Sequence, residues 1–166
     1  MEISLFTKCL FEFIGTLVLV LLGDGVVAST VLKRSKGFDG GWIVITIAWG
    51  LAVMCGVLIA GPYSGAHLNP AVSVGLAVAG SFPWAYVPGY VAAQLLGGFC
   101  GAVVVYLYYK DHFDATDDPA AKLGVFCTMP AIMDKPRNLF CEVVGTFLLV
   151  FVILAIGNEQ NTPEIG

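Results

Sequence analysis

Ser64-Gly65-Ala66-His67-Leu68-Asn69-Pro70-Ala71-Val72-Ser73 is the stretch that decides the fold of this chain. It follows an uncharged run of membrane length, Trp42 to Ala60, and opens a second apolar run, Ala71 to Ala79, too short to cross a bilayer. Asn-Pro is a helix-start signal. Asn caps well, and Pro at the first helical position gives up an N–H that would have no partner there anyway. Such a start places unpaired backbone N–H groups at membrane depth, where lipid offers no acceptor. A polar path through the protein must therefore lie beside them.

Composition fixes the solvent. The 166 residues are 58% hydrophobic with a mean hydropathy of +0.86, and 12% are charged. Soluble domains carry about 25% charged residues. A soluble core of this length has no room for so much apolar surface, so the chain is read as an integral, multi-pass protein of the cell membrane. A net charge of −4 leaves no nucleic-acid footprint. Lys8 is the only cation before the first apolar run, and that run is long enough to span and stay rather than serve as a cleaved signal. Cys9, Cys55, Cys100, Cys127 and Cys141 show no CxxC spacing and read as small buried hydrophobes. Neither a cofactor nor a metal site is expected.

A hydrocarbon core of about 30 Å needs about 20 apolar helical residues. Four stretches qualify: Leu10 to Leu32, which contains Glu12 and Asp24; Trp42 to Ala60; Tyr86 to Tyr109; and Leu139 to Ile156, which contains Glu142. Asp24, flanked by Gly23 and Gly25, reads as a solvated helix terminus. Between the second and third spans, a helix over Asn69 to Ala79 would be about 16 Å long, half the hydrocarbon thickness. Gly61-Pro62 before it and Gly80-Ser81-Phe82-Pro83 after it read as helix breakers. The piece is predicted to be re-entrant, entering as coil and leaving as a half-helix. A surface amphipathic helix fits less well, because Ala71 to Ala79 has no charged face. Residues 110–138, rich in Asp and Pro, read as an extramembrane loop, and Tyr106-Leu107-Tyr108-Tyr109 suits an interfacial belt. Gly97-x-x-x-Gly101, extended by Ala93, reads as a close-packing helix face.

An internal repeat organises the whole. Glu12-Phe13-Ile14-Gly15-Thr16-Leu17-Val18-Leu19-Val20 matches Glu142-Val143-Val144-Gly145-Thr146-Phe147-Leu148-Leu149-Val150 at an offset of 130 residues. Three spans separate the copies, an odd number, so the copies run in opposite directions through the membrane. Inverted repeats of this kind build transporters and channels. The same offset predicts a second Asn-Pro at about position 199, beyond Gly166. On this reading residues 1–109 form a first repeat with half-helix 69–79, and 139–166 the first helix of a second repeat in a larger protein.

The Asn69 carbonyl can accept from the N–H groups that follow, leaving its NH₂ free to donate to a passing hydroxyl. Gly65, Ala66, His67 and Leu68 in coil would expose successive carbonyl acceptors. The half-helix adds about +0.5 charge at the same spot, opposing cations and protons. A line of acceptors ending at a donor suits neutral O–H-bearing molecules.

The decapeptide Ser64 to Ser73 resembles the first Asn-Pro-Ala box of the major intrinsic proteins, the aquaporins and glycerol facilitators, and the repeated Glu-x-x-Gly-Thr is similar to that family too. The resemblance covers nearly the whole chain. It implies an all-α, aquaporin-like inverted-repeat bundle, here truncated to four transmembrane helices plus one re-entrant half-helix. Two half-helices would meet at the midplane of the complete fold, which would assemble as a homotetramer with one pore per subunit. By the same resemblance Gly65, Ala66, His67, Leu68, Asn69, Pro70 and Ala71 line the pore, and Glu12 and Glu142 brace re-entrant loops by accepting backbone N–H bonds. Gln94 is expected to pin the half-helix in a similar way. Trp49 lies seven residues beyond Trp42, about 10 Å deeper along the helix, in a Trp-Gly-Leu context that in glycerol facilitators lines the selectivity constriction. Water-selective relatives usually have phenylalanine there. The expected cargo is therefore glycerol, small polyols and water.

Seven of the eight cations, namely Lys33, Arg34, Lys36, Lys110, Lys122, Lys135 and Arg137, fall on the side of the first and third connections. The positive-inside rule would make that side cytoplasmic. The family arrangement places it outside, and that arrangement is adopted here. Two further classes compete, besides a water-selective pore. An ion-coupled secondary transporter would need an ion site, and Glu12 and Glu142 are the only charges read as deep in a span. An intramembrane enzyme using His67 with a glutamate would need a nucleophile motif, which the sequence lacks.

Overall fold

The computed structural model describes residues 3–158, all helix and connection. Helix α1 (Leu5–Val31) starts upstream of the expected Leu10, because the Ser4 hydroxyl caps it, accepting from Thr7 N–H at 3.1 Å. Helix α2 covers Gly41–Ser64, half-helix α3 Pro70–Val78 and α4 Val87–Tyr108, the last led in by a 3₁₀ turn at Trp84–Tyr86. Short helices α5 (Lys110–Ala115) and α6 (Pro119–Gly124) follow, then α7 (Lys135–Ile156). Among the described residues four helices, counting α4 with its lead-in turn, are long and apolar enough to cross a membrane.

Three further boundaries differ from the sequence reading. Gly61-Pro62 does not end α2, which runs on to Ser64. Pro62 sits in the last turn, and the stop comes at Gly65, whose φ of +84° leaves the helical region. The 110–138 connection is partly helical, with Asp118 capping α6 through Ala120 N–H at 2.8 Å. Helix α7 starts at Lys135 rather than Leu139. Asp134 caps it, and Pro136 falls in its first turn, where proline is tolerated.

Helix α1 is the centre of the bundle, packed between α2 and α4. Glycine makes the approach to α4 possible. A Cβ on Gly101 would stand 2.7 Å from the Leu17 carbonyl oxygen, and one on Gly97 would collide with that of Phe13. Helices that share lipid as solvent gain little from burying apolar surface, so close backbone approach and dispersion hold them. At the far end Ala28, Leu32, Val105, Phe113 and Val125 form a buried cluster that seats α5 and the end of α6 on α1 and α4. Thr116 Oγ1 ties this connection down, accepting from Lys33 N–H at 2.9 Å. Three of the seven clustered cations pair with aspartates: Lys33 with Asp117, Lys110 with Asp114, and Arg137 with Asp134. Helix α7 has no buried residue and packs against α3, with Val150 lying over Gly75. The cysteines are less enclosed than their type suggests. Cys9, Cys55 and Cys100 are half-buried on the spans, while Cys127 and Cys141 are exposed, on the long connection and on α7.

Candidate functional site

The loop between α2 and α3 is held in an uncommon backbone shape. Gly65, Ala66 and Leu68 have φ of +84°, +50° and +54°. For the two non-glycine residues this region costs about 1–3 kcal/mol each, and it persists only where the surroundings impose it. Glu12 on α1 is fully buried and imposes it. Its Oε1 accepts from Ser64 Oγ at 2.6 Å and from His67 N–H at 2.9 Å, while its Oε2 accepts from Leu68 N–H and Gln94 Nε2, both at 2.8 Å. Bonds of this kind contribute about 1.5–3 kcal/mol each when the acceptor is charged, enough to offset the strained residues.

Around this carboxylate further polar atoms interlock, while Gln94 Oε1 is left without a partner among the described residues. Tyr90, one turn before Gln94 on α4, donates its hydroxyl to the Ser64 carbonyl at 2.7 Å. Ser73 on α3 is fully buried, 3.0 Å from His67 Nδ1 and accepting from Gln94 Nε2 at 3.1 Å. The His67 ring also packs against Phe82 and Tyr90. Its imidazole is thereby committed inside the protein. Leu68 anchors the loop on the apolar side, its two methyls nested over Gly15 and Gly56, where Cβ atoms would stand 2.6 and 2.7 Å from them.

Asn69 caps α3, its Oδ1 accepting from Ala71 N–H at 2.8 Å, with Pro70 opening the helix. The Nδ2 group donates to nothing among the described residues. Helix α3 therefore presents its N-terminus and a free amide donor together.

Two open cavities flank this arrangement along α1. One of about 410 Å³ lies at the N-terminal end of α1, against Lys8, Ser64, Gly65 and Tyr86. The other, about 840 Å³, lies at the opposite end, against Asp24, Trp49, Thr30 and the α6 connection. Trp49 is half-buried in its wall, with the indole laid on Gly23 so closely that a Cβ there would stand 2.5 Å from three ring carbons. Asp24 is no solvated terminus: it is 8% exposed, seven residues before the end of α1. Among the described residues no cluster of His, Cys, Asp and Glu is arranged to hold a metal ion.

The structure thus brings Glu12, Gln94 and Gly65 to Ala71 into one unit. Trp49 belongs to the other cavity. Glu142 joins neither: it is exposed on α7, and a Cβ added to Gly145 in the same repeat would meet nothing within 4 Å. Ser64, Ser73, Tyr90, Gly15 and Gly56 join the site without a role that the sequence alone assigns. Their signals were spacing, with Gly15 one turn after Glu12, Ser73 one turn after Asn69, and Tyr90 one turn before Gln94.

The sequence profile described as "Major intrinsic protein" matches residues 1–166. The chain belongs to the major intrinsic protein family. Within that family it is 57% identical over 151 residues to a probable glycerol uptake facilitator protein of Thermotoga maritima, covering 91% of this chain and 64% of the relative. It is 52% identical over 155 residues to the glycerol uptake facilitator protein of Bacillus subtilis, covering 93% and 57% respectively. The chain therefore spans less than two thirds of the length of these two relatives. Among solved structures, the aquaglyceroporin from Plasmodium falciparum superposes with a TM-score of 0.64 at 39% identity, over 70% of this chain and 48% of that one. The chain is an integral membrane protein with the helical fold of the major intrinsic proteins.

Proposed function

We propose that this chain forms one wall of a passive pore for glycerol, other small neutral polyols and water, working as a homotetramer in the cell membrane. The carrying observation is the Glu12-held loop, which ends at an Asn69 amide with an unspent donor. The names of the relatives, glycerol uptake facilitators, support the same cargo. On this reading the carbonyls of Gly65, Ala66, His67 and Leu68 accept solute hydroxyls in turn, and Asn69 Nδ2 donates to a solute oxygen at the start of the half-helix built by Pro70 and Ala71. Trp49 offers an apolar wall to the carbon side of a polyol. The N-terminal dipole of α3 opposes cations, which keeps the path neutral. Glu12 and Gln94 act through the loop rather than on solute. Glu142, the repeat's counterpart of Glu12, serves a second loop of the same kind contributed from outside these residues.

Proteoliposomes carrying the complete protein should shrink in a glycerol gradient and then reswell as glycerol enters. Reswelling no faster than in empty vesicles would overturn the proposal, and saturable uptake that requires sodium or a proton gradient would replace it with a coupled transporter.

A further inference from the structure

We propose that Asp24 determines specificity in the larger cavity, accepting hydrogen bonds from solute hydroxyls and turning small organic anions away. This rests on the reading of the chain as part of a polyol pore. Asp24, unlike the exposed Glu142, is a buried carboxylate in a span that the structure leaves unserved. It is only 8% exposed, lines the cavity beside Trp49, and has no hydrogen bond or ion pair among the described residues. Glu12, on the same helix, takes four donors. Neither of its oxygens is fully enclosed, so the carboxylate opens onto the cavity, and a carboxylate kept in a span without a protein partner points to a partner that arrives there.

The rest of the lining sharpens the chemistry. Among the described residues no Lys, Arg or His borders the cavity, and the one other carboxylate there, Asp39, is exposed at its edge. Thr30 spends its hydroxyl hydrogen on the Val26 and Val27 carbonyls, and Thr46 spends its own on Ile43. Neither hydroxyl competes for Asp24. The adjacent Gly23 carries the Trp49 indole on its bare backbone, so an apolar ring and a free acceptor stand side by side. A polyol chain has the complementary pair of faces: C–H for the ring, O–H for the carboxylate. A solute that carries its own carboxylate meets a fixed like charge instead.

The test compares glycerol with glycerate, an anion of the same carbon length, in proteoliposomes at pH 8. Water permeability of the same vesicles reports the amount of open channel. Asp24→Asn should lower the glycerol-to-glycerate permeability ratio by about tenfold or more, the scale of one unit charge removed from within several ångströms of the path. Asp24→Glu, which keeps the charge, should retain the ratio. Should Asp24→Asn fail to insert, Asp24→Ser provides the same comparison. An unchanged ratio in an Asn or Ser variant that conducts glycerol overturns the assignment. Absence of glycerol flux in the unmodified protein overturns the underlying pore reading instead, and this assignment with it.

Discussion

Glu12 Oε2 accepts the backbone N–H of Leu68 at 2.8 Å, in a residue whose φ is +54°. One buried carboxylate thus sets the handedness of the loop that leads into the half-helix. Glu12→Gln keeps the shape but replaces one acceptor oxygen by an NH₂ that faces donors. Each donor left unpaired costs about 1–3 kcal/mol. At about 2–4 °C per kcal/mol for a chain of this size, thermal unfolding in detergent should come several degrees earlier. Glycerol flux should fall at least tenfold, by about 1.4 kcal/mol or more in barrier, because the acceptor ladder relaxes with the loop. Flux at the unmodified rate would separate the loop from conduction.

Gly23 is the floor on which the Trp49 indole lies. Gly23→Ala would put a methyl 2.5 Å from three ring carbons, and a rigid ring can answer only by tilting away. Overpacking of this kind costs about 1–3 kcal/mol. The indole should swing into the larger cavity, slowing glycerol severalfold and water less. Fluorescence reports it directly: of the three tryptophans, Trp42 and Trp84 can be replaced by Phe, leaving Trp49 alone. Its emission maximum should shift on Gly23→Ala, and an unmoved maximum would show that the ring does not rest on this glycine.

Trp49→Phe removes the outer part of that apolar wall while leaving the helix intact. Glycerol permeability should drop relative to water by several-fold, measured as the ratio of reswelling to shrinking rates in one vesicle preparation. A ratio identical to the unmodified protein would place the selective contact elsewhere.

The spans and the half-helix are legible in the sequence because lipid permits so few solutions. Long apolar runs must be helices, and an Asn-Pro start at membrane depth must be re-entrant. The Glu12–Leu68 contact is visible there only through the repeat and the family it suggests, since the two residues lie on different elements and no local pattern pairs them. Asp24 reads wrongly in sequence for a physical reason. Its glycine neighbours look like a terminus, but Gly23 is there to receive Trp49 and the helix continues past it. Pro62 misleads in the same way, because the carbonyl turn it interrupts is the last of α2 and Gly65 makes the actual stop. The roles of Gly15 and Gly56 are set by Leu68, a residue distant from Gly15 and on a different element from both, and so lie beyond periodicity.

Those glycines allow a coupled test. Gly15→Ala alone would drive a methyl to 2.6 Å from one Leu68 methyl and 2.9 Å from Ala60 Cβ, lifting the loop from its seat. Leu68→Ala alone would empty the pocket over Gly15 and Gly56, a loss of about 2–5 kcal/mol for a buried leucine. Together the changes oppose each other, because the new Cβ enters space that Leu68 has left. Contacting residues of this kind show coupling of about 0.5–3 kcal/mol. The double variant should therefore unfold at a higher temperature than the sum of the two single losses implies. Strict additivity would mean that Leu68 does not sit between these helices.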